Sequence, residues 1–334
     1  MPEVCLLAIE SSCDETSAAI LSDGQILSNI IYTQTVHEKY GGVIPESASR
    51  LHIRHILPVV EEAFLQSGMH KTQLHAVAYT QSPGLIGSLL VGATFAKSFA
   101  QALTIPTIAV NHMHAHVLSN LIEEPRPDFP FLCLTVSGGH TQIVLCRSPL
   151  DMEILGETID DAAGEAFDKS AKMLGLPYPG GPLVDRYAQS GDPMRFQFAK
   201  PRIEGLNFSF SGVKTSILYF LQAEKAKNDH FITENINDLC AGIQHTIVTI
   251  LMEKLVKACK ETGIRNVCIA GGVSANSGLR KGLQHYADRY GWKAFIPKFE
   301  YCTDNAAMIA MTGYYKYLKG EFSELNLGAS ARSL

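Results

Sequence analysis

An apolar run, a turn of small polar residues and a second apolar run follow one another twice in this chain. Val4–Ile9 leads through Glu10-Ser-Ser-Cys-Asp-Glu15 into Thr16–Leu21, and Phe131–Val136 leads through Ser137-Gly-Gly-His-Thr141 into Gln142–Cys146. Each predicts a β-hairpin closed by a loop of small residues. A second pair follows in the same order. Ala76–Tyr79 runs into Ser82-Pro-Gly-Leu-Ile-Gly87 and a helical stretch through Ala100, while Val267–Ala270 runs into Gly271-Gly272 and a helical stretch from Ala275. Any one such loop is an ordinary α/β turn. Four in matching order predict two related α/β lobes facing one cleft, residues 1–110 with about 305–334 forming one and residues 111–304 the other. A chain of 334 residues has the length for two domains, each with its own core. Glycine lets a backbone approach a phosphate and helix N-termini supply N–H donors, so these loops are where a ligand is expected.

Composition narrows the setting. No basic segment followed by an apolar one opens the chain, so no secretory signal is expected. The most apolar stretch, Leu85 to Val110, is interrupted by Lys97, Gln101 and Pro106, which argues against a membrane span and against a membrane as partner. The eight cysteines form no C-x-x-C pair and mostly sit in apolar runs, which predicts reduced thiols and a cytoplasmic protein. With 28 basic against 33 acidic residues the formal charge is −5, so the whole chain is not a basic coat for nucleic acid. A local patch remains open: Arg195, Lys200, Arg202 and Lys214 interleave with Phe196, Phe198, Phe208 and Phe210. Cations with aromatics suit nucleic acid. The alternative is a solvated loop over a small apolar cluster.

The sharpest local motif is Asn111-His-Met-His-Ala-His116. On a helix His112 and His116 share a face, with His114 roughly opposite, and two imidazoles at that spacing are a ready pair of metal ligands. A helix with polar histidines and no metal reads the same. Asp304, in Cys302-Thr-Asp-Asn305 before an apolar helix, is the best third ligand by context, and an N-cap aspartate is the competing reading. A metalloprotease needs H-E-x-x-H, yet the only His-Glu pair, His37-Glu38, has Gly41 where the second His belongs. G-x-x-x-x-G-K-[ST] is absent as well, so the chain is no P-loop enzyme.

Asp161, Glu165, Asp168 and Lys172 predict one polar stripe of a helix whose opposite face carries Ala163, Phe167, Ser170 and Leu174. The stripe is either a solvated face or, at Asp168, a contact to ligand hydroxyls. Gly180 and Gly181, followed by Pro182 and a helix with Asp185, either make a tight turn or bring backbone against a ribose. Asn276 begins another helix, as a cap or as a nucleotide contact.

Taken together, these segments resemble one family over essentially the whole chain. Ile9-Glu-Ser-Ser-Cys-Asp-Glu-Thr16, Gly41-Gly-Val-Ile-Pro-Glu-Ser-Ala-Ser-Arg50, Asn111-His-x-x-x-His116, Val136-Ser-Gly-Gly-His-Thr141, Asp160-Asp-Ala-Ala-Gly-Glu-Ala-Phe-Asp-Lys169, Phe208-Ser-Phe-Ser-Gly212, Ala270-Gly-Gly-Val-Ser-Ala-Asn276 and Cys302-Thr-Asp-Asn305 resemble the catalytic subunits of bacterial tRNA N6-adenosine threonylcarbamoyltransferase. That family was once described as O-sialoglycoprotein endopeptidases. The resemblance implies an actin-like ATPase (ASKHA: sugar kinase, Hsp70, actin) fold of two related lobes. It implies transfer of a threonylcarbamoyl group from threonylcarbamoyl-AMP to N6 of adenosine 37, in tRNAs reading codons that begin with A. It implies one divalent metal, usually Fe2+ with Zn2+ or Mn2+ as alternatives, on His112, His116 and Asp304. It also implies an adenylate site built from Thr135, Val136, Ser137, Gly138 and Gly139 with Asp168, Gly181, Asp185 and Asn276. Its partners are tRNA, a degenerate paralogue of the same fold (TsaB-type) and a small P-loop ATPase (TsaE-type).

The acceptor amine must lose a proton as the new bond forms, and Asp14 or Glu15 in the first hairpin loop are the candidate bases beside metal-bound water. Two rivals share the fold class. A small-molecule kinase would need a carboxylate aimed at a hydroxyl rather than a His pair. An ATP-dependent scaffold would bind nucleotide and transfer nothing.

Overall fold

The computed structural model describes residues 4–332, which fall into two compact units. The first comprises Met1–Arg126, Ser148–Asp151 and Pro297–Leu334; the second comprises Pro127–Arg147 and Met152–Ile296.

In the first unit, β1 (Cys5–Glu10), β2 (Glu15–Ser22) and β3 (Gln25–Thr33) form a meander. Then come α1 (Pro45–Ser67), β4 (Ala76–Ser82), α2 (Ile86–Leu103), β5 (Thr107–Asn111) and α3 (His112–Leu118). The sheet order is β3-β2-β1-β4-β5, with β1 antiparallel to β2 and parallel to β4, and β4 parallel to β5. Every residue of β1 and β4 is buried, as expected of inner strands covered on both faces, whereas β3 at the edge is half-exposed. Leu7, Ile9, Ile20 and Tyr79 meet Val60 of α1 and Ala93 of α2 in one core.

The second unit repeats the plan. Its strands are β6 (Phe131–Val136), β7 (Thr141–Ser148), β8 (Asp151–Glu157), β9 (Asn266–Ala270) and β10 (Lys293–Phe295), in the order β8-β7-β6-β9-β10. β6 is antiparallel to β7 and parallel to β9, and β9 is parallel to β10. Strand for strand this is the order of the first sheet, and β6, β7, β9 and β10 run in the directions of β1, β2, β4 and β5. Between β8 and β9 lie α4 (Ala163–Met173), α5 (Gly180–Ala188), α6 (Ser211–Lys225), α7 (Phe231–Glu234) and α8 (Ile236–Thr262), and α9 (Ser277–Tyr290) precedes β10. Phe167, Phe208, Phe210, Ile243 and Leu279 fill the core. At the end of β9, Gly271 has φ +84°, and a Cβ there would lie 2.5 Å from the Val136 carbonyl oxygen, so the junction requires glycine.

The last helix, α10 (Ala306–Leu318), belongs to the first unit. Asn305 caps it through Met308 N, while Ala306 N donates to Ser17 Oγ and Ala307 N to Asn29 Oδ1. The expected division at 110/111 and 304/305 is therefore corrected to 126/127 and 296/297. The physical reason is that Met113, Ala115, Val117, Leu118, Leu121 and Ile122 are all buried and α3 packs on α10, so this segment completes the first core.

Among the described residues no cysteine forms a disulfide, and seven of the eight are buried. Helices α2 and α8 are long and apolar enough to cross a membrane by length and composition alone. Within the fold, α2 packs on β4 and α1, while α8 packs on α5 and α9.

Candidate metal centre and ligand loops

His112 is the first residue of α3 and His116 lies one turn on, the helix being capped by the Asn111 side chain, which accepts from Met113 N and His114 N. Both His112 and His116 are buried and His114 is exposed, as their spacing on a helix requires. Asp304 reaches the pair from the loop before α10. Its Oδ1 lies 3.1 Å from His116 Nε2 and 3.4 Å from His112 Nε2, and the ligand atoms of the three residues lie within 4.8 Å of one another. Bonds of about 2.0–2.2 Å to one ion place neighbouring donors about 3.0–3.6 Å apart, and both Asp304 distances fall in that range. Two imidazoles and one carboxylate with open positions suit iron, zinc or manganese. Asp304 does not cap α10, because Asn305 holds that place.

A fourth residue, not singled out in the sequence, completes the arrangement. Glu10 ends β1 and is fully buried. Its Oε2 accepts from Thr80 Oγ1 at 2.6 Å and lies 3.1 Å from His112 Nδ1, while Oε1 accepts from Ser12 N. A carboxylate on the far nitrogen of a ligating histidine fixes its ring and tautomer and leaves Nε2 for the metal. His116 has no such partner, since its Nδ1 is buried without a hydrogen bond. Burial opposes the charge on these groups, but the attraction between them wins at three positions. His112 is held well above the ordinary histidine range by Asp304 and Glu10, and Asp304 and Glu10 are held below the carboxylate range chiefly by His112. At His116 burial prevails and lowers the imidazole. The signal available in sequence was a lone carboxylate closing a wholly apolar inner strand.

Asp14 lies in the first hairpin loop and Glu15 begins β2. Burial first, then the charges of Asp304 and Asp14, raise Glu15 well above the carboxylate range.

In the second unit the hairpin loop starts at Ser137. Thr135 and Val136 end β6, as the apolar run predicts, are fully buried and pair with Gln142 and Thr141 of β7. Ser137 and His140 close the turn on each other, Ser137 N donating to His140 O at 2.8 Å and His140 N to Ser137 Oγ at 3.1 Å. Gly138 and Gly139 are exposed, with open space where a Cβ would lie. Gly164 of α4 donates its N–H to the Ser137 carbonyl.

Asp168 accepts from the amides of Gly180 and Gly181 at 2.9 and 3.0 Å, tying α4 to the start of α5. Burial nevertheless raises its carboxyl above the ordinary value. Gly180 is needed for packing, because a Cβ there would sit 2.3 Å from that of Ala171, whereas Gly181 has ordinary clearance. Asp185 accepts from Ser277 N at 2.9 Å and Ser277 Oγ at 2.6 Å. Asn276 caps α9 through Leu279 N, and its amide donates to Gln244 Oε1. The structure thus joins the expected ligand residues in a chain of contacts between helix starts. Asp168, Asp185 and Asn276 act there on the backbone or on neighbouring side chains.

Two expectations are corrected. Asp161 precedes α4 rather than lying on it, and its carboxylate takes Lys169 at 2.9 Å, so the polar stripe is ion-paired. The basic patch is largely neutralised: Arg195 faces Asp238 at 2.6 Å, Lys200 faces Glu253, and Lys214 lies 3.7 Å from Asp161. Its aromatics point inward, with Phe208 and Phe210 fully buried and Phe196 and Phe198 packed on Phe220. In the same region Asp160 accepts from Ser209, Phe210 and Ser211, joining two of the sequence motifs.

Two five-stranded mixed sheets of one strand order, one unit bearing a His₂Asp set with both histidines buried, define a two-lobe α/β protein of the actin-like class. HypF from T. kodakarensis shares the fold, with TM-score 0.66 and 14% identity over 96% of this chain and 49% of that one. Residues 25–311 match the family described as TsaD, tRNA N6-adenosine threonylcarbamoyltransferase, and the chain belongs to that family. The tRNA N6-adenosine threonylcarbamoyltransferase of Christiangramia forsetii is 58% identical over 99% of this chain and 98% of its own. That of Cytophaga hutchinsonii is 56% identical over 98% and 96%. The activity is accordingly an acyl transfer that forms N6-threonylcarbamoyladenosine in tRNA.

Proposed function

We propose that the acyl donor is threonylcarbamoyl-AMP and the acceptor adenosine 37 of tRNAs reading codons that begin with A. The N6 lone pair attacks the carbamoyl carbon and an N–C bond forms. The bond from that carbon to the phosphate oxygen breaks, and AMP leaves with the electron pair. The proton lost from N6 passes to a base, for which Asp14 and Glu15 are the candidates.

The His112–His116–Asp304 cluster, with both histidines buried, carries this reading, because its ligand atoms lie close enough together to share one divalent ion. Iron, zinc or manganese, held by His112, His116 and Asp304, would supply Lewis acidity there. Glu10 holds the His112 ring in place for it. The exposed Gly138 and Gly139 turn supports the second unit as holder of the adenylate, with Ser137 fixing the loop, Asp168 and Asp185 setting the starts of α5 and α9, and Gly181 and Asn276 on those starts. The acceptor base must leave the anticodon-loop stack to be modified. A degenerate paralogue of the same fold and a small P-loop ATPase are the proposed partners, and the cytoplasm the proposed location.

The test supplies the chain and its partners with unmodified tRNA, threonine, bicarbonate, ATP and the separate enzyme that makes threonylcarbamoyl-AMP, with nucleosides analysed by mass. Formation of N6-threonylcarbamoyladenosine with stoichiometric AMP supports the reading. AMP without the modified nucleoside, or phosphorylation of a small molecule instead, defeats it.

A further inference from the structure

With the Arg195–Lys214 patch largely ion-paired, an RNA substrate needs positive surface elsewhere in a chain of net charge −5. Two segments supply it. Residues 254–265 carry four basic side chains and one acid, and residues 280–293 again carry four and one. They meet where α8 and α9 end, at Gly263 and Gly291, both in the left-handed conformation. Lys293 N donates to the Arg265 carbonyl, which holds the two segments side by side.

A cavity of about 270 Å³ opens there. Val256, Cys259 and Ile264 contribute its apolar lining, Tyr290 and Trp292 its aromatic lining, and Lys260 and Arg265 its cations. The Tyr290 and Trp292 rings are stacked, with centroids 5.5 Å apart and planes 21° from parallel. Lys260 Nζ lies 6.0 Å from the Tyr290 centroid and the Arg289 guanidinium 5.5 Å from it. Lys260, Arg265 and Arg289 are exposed, and among the described residues none has a carboxylate within ion-pair distance. The two nearby acids are engaged, Glu261 by Lys257 and Asp288 by Gln284. The carbonyl ends of α8 and α9 each add about half a negative charge, too little to cancel three whole positive ones.

A hollow of this size is small for a large cofactor and suits one planar ring system. Aromatic walls with unpaired cations at the rim match an unstacked base and its flanking phosphates. We propose that this hollow receives a nucleobase of the tRNA substrate, with Lys260 and Arg265 on the adjoining phosphates. It is a docking site apart from the metal cluster, and the proposal rests on tRNA being the substrate.

Trp292 is the single tryptophan of the chain, so its emission reports this hollow alone. Titration of the full chain with unmodified tRNA is expected to quench it, and AMP is expected not to. The variant K260E/R265E changes two exposed side chains. It should raise KM for tRNA at least tenfold at physiological salt, leave KM for the acyl donor unchanged, and reduce the slope of log affinity against log salt by about two. An unchanged thermal midpoint shows that the variant is folded. Normal tRNA modification with no quenching, or with KM for tRNA unaltered in K260E/R265E, overturns the proposal while leaving the transferase reading intact. Quenching by AMP alone also overturns it, because the hollow is then a mononucleotide pocket. Failure of the wild-type chain to modify tRNA removes the transferase reading itself, and this proposal with it.

Discussion

Glu10 and His112 together decide how firmly the metal would be held. Replacing Glu10 by Gln keeps a side chain of the same shape beside Nδ1 but removes its charge, in a place where Glu10 is fully buried. Outer carboxylates of this kind typically contribute 10- to 100-fold to metal affinity. E10Q is expected to bind metal about 10- to 100-fold more weakly in chelator competition, with one site per chain retained. Unaltered affinity would show that Glu10 serves the fold alone. The sequence made His112, His116 and Asp304 legible because helical spacing and a polar cluster before a helix are local signals. It left Glu10 obscure, because a carboxylate at a strand end acquires its meaning only from Thr80 and His112, distant in sequence. Asn276 was ambiguous for the opposite reason: capping and ligand contact ask for the same side chain at the same position.

At the scale of elements, helix starts in the second unit are tied by carboxylates, and two of these ties make predictions. Asp160 binds Ser209, Phe210 and Ser211, and although burial opposes it, these bonds hold its carboxyl below the ordinary value of 3.8. A depressed carboxylate stabilises the folded state fully above pH 3.8 and loses that contribution as pH falls through its lower folded value. The thermal midpoint of D160N should therefore lie below wild type at neutral pH and converge on it in acid below that value. A gap that widens in acid would contradict this. Gly180, where a Cβ would come within 2.3 Å of Ala171, sets how closely α5 packs on α4. G180A is expected to cost about 1–3 kcal/mol in urea unfolding, whereas G181A, with room for its Cβ, should cost less than G180A. Equal losses would mean that packing is not what selects glycine at 180. The hairpins themselves were legible from apolar runs broken by small residues, and their limits fell within a residue or two. The apolar run Phe131–Val136 is β6 itself, held in the sheet by pairing with β7.

For the whole molecule, the repeated sheet order was foreshadowed by four loops recurring in sequence, while the unit boundaries were not. Nothing local in residues 111–126 tells that they complete the first core, because their partner α10 comes at the far end of the chain. The charge balance was legible as a number, while its place was left open between a binding patch and a solvated loop. Arg195, Lys200 and Lys214 cluster in sequence but face carboxylates brought in from other segments. A chain at −5 binding a polyanion through a small basic area should hold tRNA weakly when isolated, and more weakly as salt rises. Gel-shift titration across a salt series checks this, and tight binding by the isolated chain at physiological salt would contradict it.

The central claim is that the His112–His116–Asp304 cluster holds the ion on which threonylcarbamoyl transfer depends. The direct measurement is N6-threonylcarbamoyladenosine formed per chain, alongside bound metal per chain, for wild type, chelator-treated wild type and H116A. Product should fall with metal on chelation, return on adding back a divalent ion, and be absent together with metal in folded H116A. Full transfer by the chelated chain, or by H116A without metal, would contradict the account.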